Sequence, residues 1–496
     1  MRSLFLVLFL TSVTFSQKII TPLEKSDFTE LSTHKNLVNF VLSLHNIKPY
    51  IKVDSIGHSV EGRVIPVVKV SKDSFNPASK KVTLLIFAQQ HGDEQGGKEA
   101  ALLFLKKIAE GKLDTLLNRL NLLVVPQINP DGSERNNRLN ANNMDLNRSH
   151  LMLSEPETEQ LHRLFYEYYP EATLDVHEYY PYTKDWEDFG AFKSFDVQLG
   201  TVTNLNITEE IHELSVNGFI PFARDYLTEK KISFHNYIVG GPPNTERIRH
   251  STTDINDGRQ SFGILNTFSV IQEGLNGKDT YSNNIKRRAE TQAASIECFV
   301  NFCYYKAEFI KTIVNHGRGL LTDNRTPSYV SLRMEHYPAD KILEVKLKSS
   351  KTEKDTIVKI EKYHPHIKSL LEVKKPYGYL IPAEAYDLLT ILSKHAIVFS
   401  DYSPKAGDII EQYKLTGLDT VEVEELPLVS PTYIPETSNT IDNPDSYYLV
   451  KLNQIQSTFI TLALEPRSQW GILTYTNLNQ RKAFDYYGLK RLFRQE

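Results

Sequence analysis

Gln89-Gln90-His91-Gly92-Asp93-Glu94-Gln95-Gly96-Gly97 stands between an unbroken apolar run, Val82-Thr83-Leu84-Leu85-Ile86-Phe87-Ala88, and an apolar-periodic segment, Ala100 to Ala109. The first run lacks polar alternation, which predicts a strand buried on both faces of a parallel sheet. Gly92, Gly96 and Gly97 are expected to let the backbone bend tightly at the carboxyl end of that strand, where open α/β sheets bind their ligands. His91 and Glu94, three residues apart, can offer an imidazole nitrogen and a carboxylate oxygen to one ion at the ~2.0–2.2 Å that zinc requires. His-x-x-Glu alone also describes many surface turns, so its weight comes from the rest of the chain.

The chain has 496 residues, 40% hydrophobic and 24% charged, more than one compact core accommodates, so two domains are expected. A net charge of −4 gives no basic field for nucleic acid, and partners must be argued from a site. Met1-Arg2, the apolar Leu4 to Leu10 and small residues up to Ser16 read as a secretory signal peptide, residues 1–16. The apolar run falls short of the ~20 residues of a spanning helix, so no transmembrane segment is expected after cleavage. Cys298 and Cys303 lie five apart in one helical segment, on different faces, as two buried thiols rather than a disulfide. A large exported protein without disulfides suits a secreted or periplasmic location.

Tyr50 to Val53 and Val64 to Val70 read as entry strands. Asn121 to Val125 is the next buried strand, and it ends in the turn-rich loop Gln127 to Gly132. Ser154-x-x-Glu157 reads as a capping box opening a helix to about Tyr168. Ala172 to His177 and Phe268 to Ile271 are further short strands, the latter followed by Gln272-Glu273-Gly274. Strands alternating with helices predict an α/β fold, a mixed, mostly parallel sheet with helices on both faces. A long helix from Asn283 to about Val314, with Ile285, Ala289, Ile296, Phe299, Val300 and Cys303 inward, closes this domain, residues 17–315. From residue 325 to 496 the period becomes two, as where Leu343, Val345 and Leu347 alternate with Glu344 and Lys346. This predicts a β-rich, sandwich-type accessory domain interrupted by one helix near Ala383 to His395. Glu465 to Gly471 reads as a structural turn.

The ends of the α/β strands carry polar residues that packing alone does not require. His91 and Glu94 follow one strand and His177 ends another. Two imidazoles and a carboxylate leave a fourth position for water, as in catalytic zinc sites, and the set is too rich in nitrogen for calcium or magnesium. Glu273, at the last strand end, has the chemistry of a general base for hydrolysis. Arg138, Asn147 and Arg148 form a receptor for a carboxylate.

With these residues in this order, and with Asn129-Pro130-Asp131-Gly132 and Asp145-Leu146-Asn147-Arg148 between them, the stretch from Asp54 to Glu273 resembles the zinc carboxypeptidases of the carboxypeptidase A type. The resemblance implies that His91, Glu94 and His177 hold Zn2+ and that Glu273 is the general base and proton shuttle. It further implies that Arg138 stabilises the oxyanion, that Asn147 and Arg148 grip the terminal carboxylate of a peptide or protein substrate, and that Asp145 orients His91. Blander readings stay open: a surface arginine at 138, a turn cap at Asp145, a core histidine at 177. The sequence departs from the family in the loop before the general base, which holds no tyrosine between Ile238 and Gln272. Tyr237 comes early for that role and His250 is a conceivable replacement. Two other functions share these features, a cell-wall muropeptide carboxypeptidase or amidase and a non-catalytic binding module on the same fold.

Overall fold

The strand ends named above meet because of the order in which eight strands pair in one sheet. They are β1 (Ile51–His58), β2 (Val64–Val70), β3 (Val82–Ala88), β4 (Leu120–Val125), β5 (Ala172–Tyr179), β6 (Val197–Thr201), β7 (Phe234–Asn236) and β8 (Phe268–Leu275). The computed structural model describes residues 18–73, 75, 79–323, 329–423, 426–475 and 488–494, so the signal-peptide reading of residues 1–16 lies outside it. The order across the sheet is β1-β2-β4-β3-β5-β8-β6-β7. The four central strands β4, β3, β5 and β8 run parallel, while β2 against β4 and β6 against β8 are antiparallel. The sheet is therefore mixed and mostly parallel at its centre, as the apolar runs predicted.

Every residue of β3, β4 and β5 is buried, which requires cover on both faces. On one face Leu84, Ile86, Leu122 and Leu174 pack with helices Gln95–Ala109, Ile285–Tyr305 and Ala307–Thr322. On the other, Leu85, Phe87, Leu123 and Val125 pack with Phe165 and Phe262. The same apolar cluster continues into the tail through Leu389, Ile460 and Trp470. The tail holds a two-stranded and a six-stranded sheet, and its hairpin Leu343–Ser349 with Asp355–Ile360 pairs back onto Ala191–Phe192 to make a three-stranded one.

Several local expectations need correction. The three glycines of the opening stretch do not have left-handed backbone, and the bend is made instead by Gln89 at φ 58°, whose side-chain amide donates to Gly92 O. Gly92 and Gly96 serve close approach: a Cβ would lie 2.1 Å from the Gly132 carbonyl carbon in the first case and 2.3 Å from Glu178 Oε1 in the second. The capping box does not form. Helix Pro156–Tyr168 starts at Glu155 without a side-chain cap, because Ser154 pairs with Ser149 and Glu157 accepts from Val60 N and Asn140. Pro130–Arg135, expected as loop, is a short helix capped by Asn129, whose side chain accepts from Gly132 N. The long closing helix is two, broken at Lys306. The tail contains helices Ser457–Leu464 and Ile472–Tyr475 besides Tyr386–Lys394. Both cysteines are free and buried, as expected.

Where the sheet meets the tail, three histidines are wholly buried. His150 Nε2 donates to Gln90 Oε1 (2.8 Å) and its Nδ1 accepts from His162 Nε2 (2.9 Å). Tyr166 donates its hydroxyl hydrogen to His395 Nδ1 (2.9 Å), and His395 Nε2 donates to Leu151 O (2.8 Å). Burial pushes all three pKa values down, His150 to about 4, His395 to about 3 and His162 well below the usual range. In the unfolded chain each takes up a proton near ~6.5, so the unfolded state binds protons first on acidification. Stability from these groups is complete above that pH and is lost as pH falls toward their folded values. The melting temperature is therefore expected to drop between pH 7 and 5, and less steeply for His395→Gln. Parallel declines in the two proteins would place the acid sensitivity elsewhere.

Candidate active site

The register of β5 with β8 sets Glu273 directly beside His177, and β3 delivers His91 and Glu94 on the other side of β5. The nitrogens His91 Nδ1 and His177 Nδ1 lie 3.1 Å apart. Glu94 lies between the rings, with Oε1 2.7 Å from His91 Nδ1 and Oε2 2.9 Å from His177 Nδ1. The far nitrogens face two further carboxylates. His91 Nε2 donates to Asp145 Oδ1 (3.1 Å) and His177 Nε2 to Asp175 Oδ1 (2.9 Å), so in its neutral form each ring offers the Nδ1 lone pair inward.

Two lone-pair nitrogens and a carboxylate thus converge in a buried space, an arrangement that repels itself unless positive charge lies among them. Arg138 Nη1 approaches His91 Nδ1 to 3.2 Å but stays at the rim. Burial alone would lower both imidazole pKa values. Glu94 together with Asp145 and Asp175 raises them above the ordinary value instead, so the pocket favours a cation at these nitrogens. Donors of this type, separated by 2.7–3.1 Å, approach the roughly 3.3 Å edge of a tetrahedron with zinc bond lengths. The three residues fit zinc.

Glu273 is buried and accepts a hydrogen bond from the Tyr237 hydroxyl. Burial, with Glu94 nearby, pushes its pKa up to about 7 against the opposing pull of His177 and Tyr237. Burial also holds the Tyr237 hydroxyl well above the usual range, so it remains a proton donor. Tyr237 therefore stands in the site despite its early position in the sequence. His250 does not: its Nε2 pairs with Tyr363 OH at 3.0 Å, outside the cleft.

Arg138, Asn147 and Arg148 line the same cleft as His91, Glu94 and Glu273, a space of about 370 Å³. Arg138 is no loose surface arginine, since its Nε and Nη2 donate to Asp145 Oδ2 at 3.1 and 2.9 Å. Asp145 both orients His91 and caps a turn, accepting from Asn147 N (2.9 Å). Burial raises its pKa, but His91, Arg138 and Arg148 outweigh this and hold it well below the carboxylate range. Asn147 is fixed as Gly258 N donates to its Oδ1 (2.9 Å).

Asp175 was not anticipated by the sequence reading, nor was Gln90, whose amide donates to Asp175 at 2.9 and 3.0 Å. A signal was present: Asp175 interrupts an apolar strand two residues before His177, and such residues share a face. Glu178 is taken up structurally. It accepts from Arg288 Nε (2.9 Å) and Nη2 (2.6 Å), from Gln292 and from Gly96 N.

The chain is similar to several known proteins. Residues 37–163 match the family model for zinc carboxypeptidases. Carboxypeptidase 2 of Trichophyton rubrum is 25% identical over 445 residues, which cover 83% of this chain and 77% of that protein. Carboxypeptidase E of Caenorhabditis elegans is 31% identical over 111 residues, 19% of this chain and 24% of that one. A crystal structure of a metallo-carboxypeptidase from Burkholderia cenocepacia aligns with 18% identity and a TM-score of 0.43 over 55% of this chain and 70% of that one. Residues 37–163 are thus similar to the zinc carboxypeptidases, a family of peptide hydrolases that use Zn2+. The family match ends before His177 and Glu273, whose place in the site comes from the sheet register.

His177→Ala is expected to strip the metal and abolish activity with little loss of melting temperature, because a large core holds the sheet independently of the site. Full zinc content in that variant would remove His177 from the ligand set.

Proposed function

We propose that this chain is an exported carboxypeptidase that removes residues from peptide C-termini, with His91, Glu94 and His177 holding the zinc and Glu273 as general base. In this reading residues 1–16 are a signal peptide, 17–315 the catalytic part and 325–496 a β-rich accessory part. No described helix is long and apolar enough to cross a membrane. The observation that carries the reading is the meeting, in one cleft, of a zinc-type donor set, a buried carboxylate with a raised pKa and a carboxylate receptor.

Zinc held by His91, Glu94 and His177 would supply Lewis-acid polarisation of the scissile carbonyl and a lowered pKa for an attacking water. Glu273 accepts the proton of that water and returns it to the leaving amine, a role suited to a carboxylate poised near neutrality. Arg138, steadied by Asp145, donates to the developing oxyanion. Tyr237 hydrogen-bonds Glu273 and presents its hydroxyl to the scissile amide. Asn147 and Arg148 bind the substrate's free carboxylate and so set the distance between the chain end and the bond that is cut.

Two outcomes test the reading. Glu273→Gln keeps shape but not the base, so zinc content should persist while turnover falls by about 10²–10⁴; near-normal turnover would transfer the role to another group. A peptide with an amidated C-terminus should be cleaved with at least ~10²-fold lower kcat/KM than its free acid, since hydrogen bonds to charged groups contribute roughly 1.5–3 kcal/mol each. Equal cleavage of the two forms, or cuts within the peptide, would contradict end recognition.

A further inference from the structure

The two imidazoles of the metal site are backed in different ways. Asp145, behind His91, is held by the Arg138 guanidinium, whereas Asp175, behind His177, is held by the Gln90 amide. A guanidinium presents donors at every nitrogen. An amide has a donor end and an acceptor end of the same shape, so its direction depends on whatever else it touches.

Gln90 is wholly buried, and its neighbours decide that direction. Nε2 lies 2.9 and 3.0 Å from the two Asp175 oxygens and 3.4 Å from Asn147 Oδ1, all of them acceptors. Oε1 is 2.8 Å from His150 Nε2. Burial keeps the His150 ring neutral, with a single hydrogen to give, and only on Nε2 does that hydrogen meet the amide oxygen. Nδ1 then accepts from His162 Nε2 at 2.9 Å. From His162 to Asp175 every hydrogen points the same way, and the row ends on the carboxylate that also takes the His177 Nε2 hydrogen at 2.9 Å.

The row is closely braced. A Cβ on Gly258 would lie 2.9 Å from Asp175 Oδ2 and 3.1 Å from both Gln90 Nε2 and His150 Cε1, so glycine lets this backbone rest against all three side chains. Next to His150, Leu151 N donates to Asn256 Oδ1 at 2.7 Å, and Leu151 O accepts from His395 Nε2 of the tail at 2.8 Å. The height at which His150 meets Gln90 is therefore set from two sides, one of them the tail.

We propose that His150 is a positioning residue for the metal centre, acting through Gln90 and Asp175 on His177. The inference rests on the zinc reading of His91, Glu94 and His177. Without the His150 N–H, Gln90 Oε1 is a buried acceptor with no partner. The amide then gains by swinging toward another donor or by turning over, and turning over sets its oxygen against the Asp175 carboxylate. Either movement releases Asp175, and with it the ring of His177.

The test is the zinc dissociation constant of the full chain, measured by competition with a chromogenic chelator. His150→Leu is expected to raise it roughly 10–100-fold, the usual cost of losing support behind a metal-binding histidine. His150→Gln, whose side chain can accept from His162 and donate to Gln90, should stay nearer the wild-type value. A double-mutant cycle separates positioning from general damage: in a Gln90→Leu background, His150→Leu should weaken zinc binding no further. Melting temperature without metal shows whether each variant is folded. Unchanged affinity in a folded His150→Leu protein, or losses that add in the double variant, overturns the proposal and leaves the zinc reading intact. If His150→Leu does not fold, nitrogen NMR of the imidazoles in the zinc-loaded wild type decides: a hydrogen on His150 Nε2 upholds the proposal and one on Nδ1 overturns it. A wild type that takes up no zinc removes the metal reading itself, and the proposal with it.

Discussion

The constraint on which the site depends is the fixed orientation of two imidazole rings. Asp145 and Asp175 each take the Nε2 hydrogen of one histidine, which leaves two bare Nδ1 atoms facing the Glu94 carboxylate in a buried space. Neither aspartate belongs to the His91, Glu94 and His177 donor set, yet without them the rings could turn or take the other tautomer. Much of the neighbouring structure serves that geometry. Gln90 holds Asp175, Arg138 holds Asp145, and Glu178 N donates to Glu94 Oε2 at 3.0 Å. Gly96 leaves room for the Glu178 carboxylate, which pairs with Arg288.

The tail takes part in shaping the cleft although no residue proposed for catalysis comes from it. The wall segment 251–257, which contributes Ser251, Thr252 and Asp257, is buttressed from behind. Trp470 Nε1 donates to Thr253 Oγ1 at 2.8 Å, and Tyr475 donates its hydroxyl hydrogen to Asp254. Tyr363 and His364 pair with Ile248 and Arg249, just before that segment. The Glu465 to Gly471 cluster that read as a plain turn thus has a definite job. Glu465 ties Tyr379, Tyr413 and Arg491 together, and the same turn delivers Trp470 to the cleft wall.

What could be read from the sequence was whatever local pattern determines. Apolar runs gave β3 and β4, and functional side chains at strand ends fell together because parallel strands bring their carboxyl ends to one edge. Asp145 was legible because it sits within a motif. Asp175 was less so, since a single acid in a buried strand looks like noise until its partner is known. Turn chemistry misled where tertiary contacts outbid local ones: Glu157 left its capping box for Asn140 and Val60, and the glycines after His91 answer to Glu178 and the 132–137 backbone rather than to their own dihedrals. Tyr237 could not be placed from spacing, because its loop reaches the cleft through the pairing of β6 with β8, a contact no local pattern encodes.

The most direct test of the account is anomalous diffraction at the zinc edge from crystals grown without added metal. The account predicts one peak per chain, bounded by His91 Nδ1, His177 Nδ1 and the Glu94 carboxylate at ~2.0–2.2 Å, with Asp145 and Asp175 still on the outer nitrogens. A peak at any other place in the chain, or coordination through Nε2 with the two aspartates displaced, would contradict it.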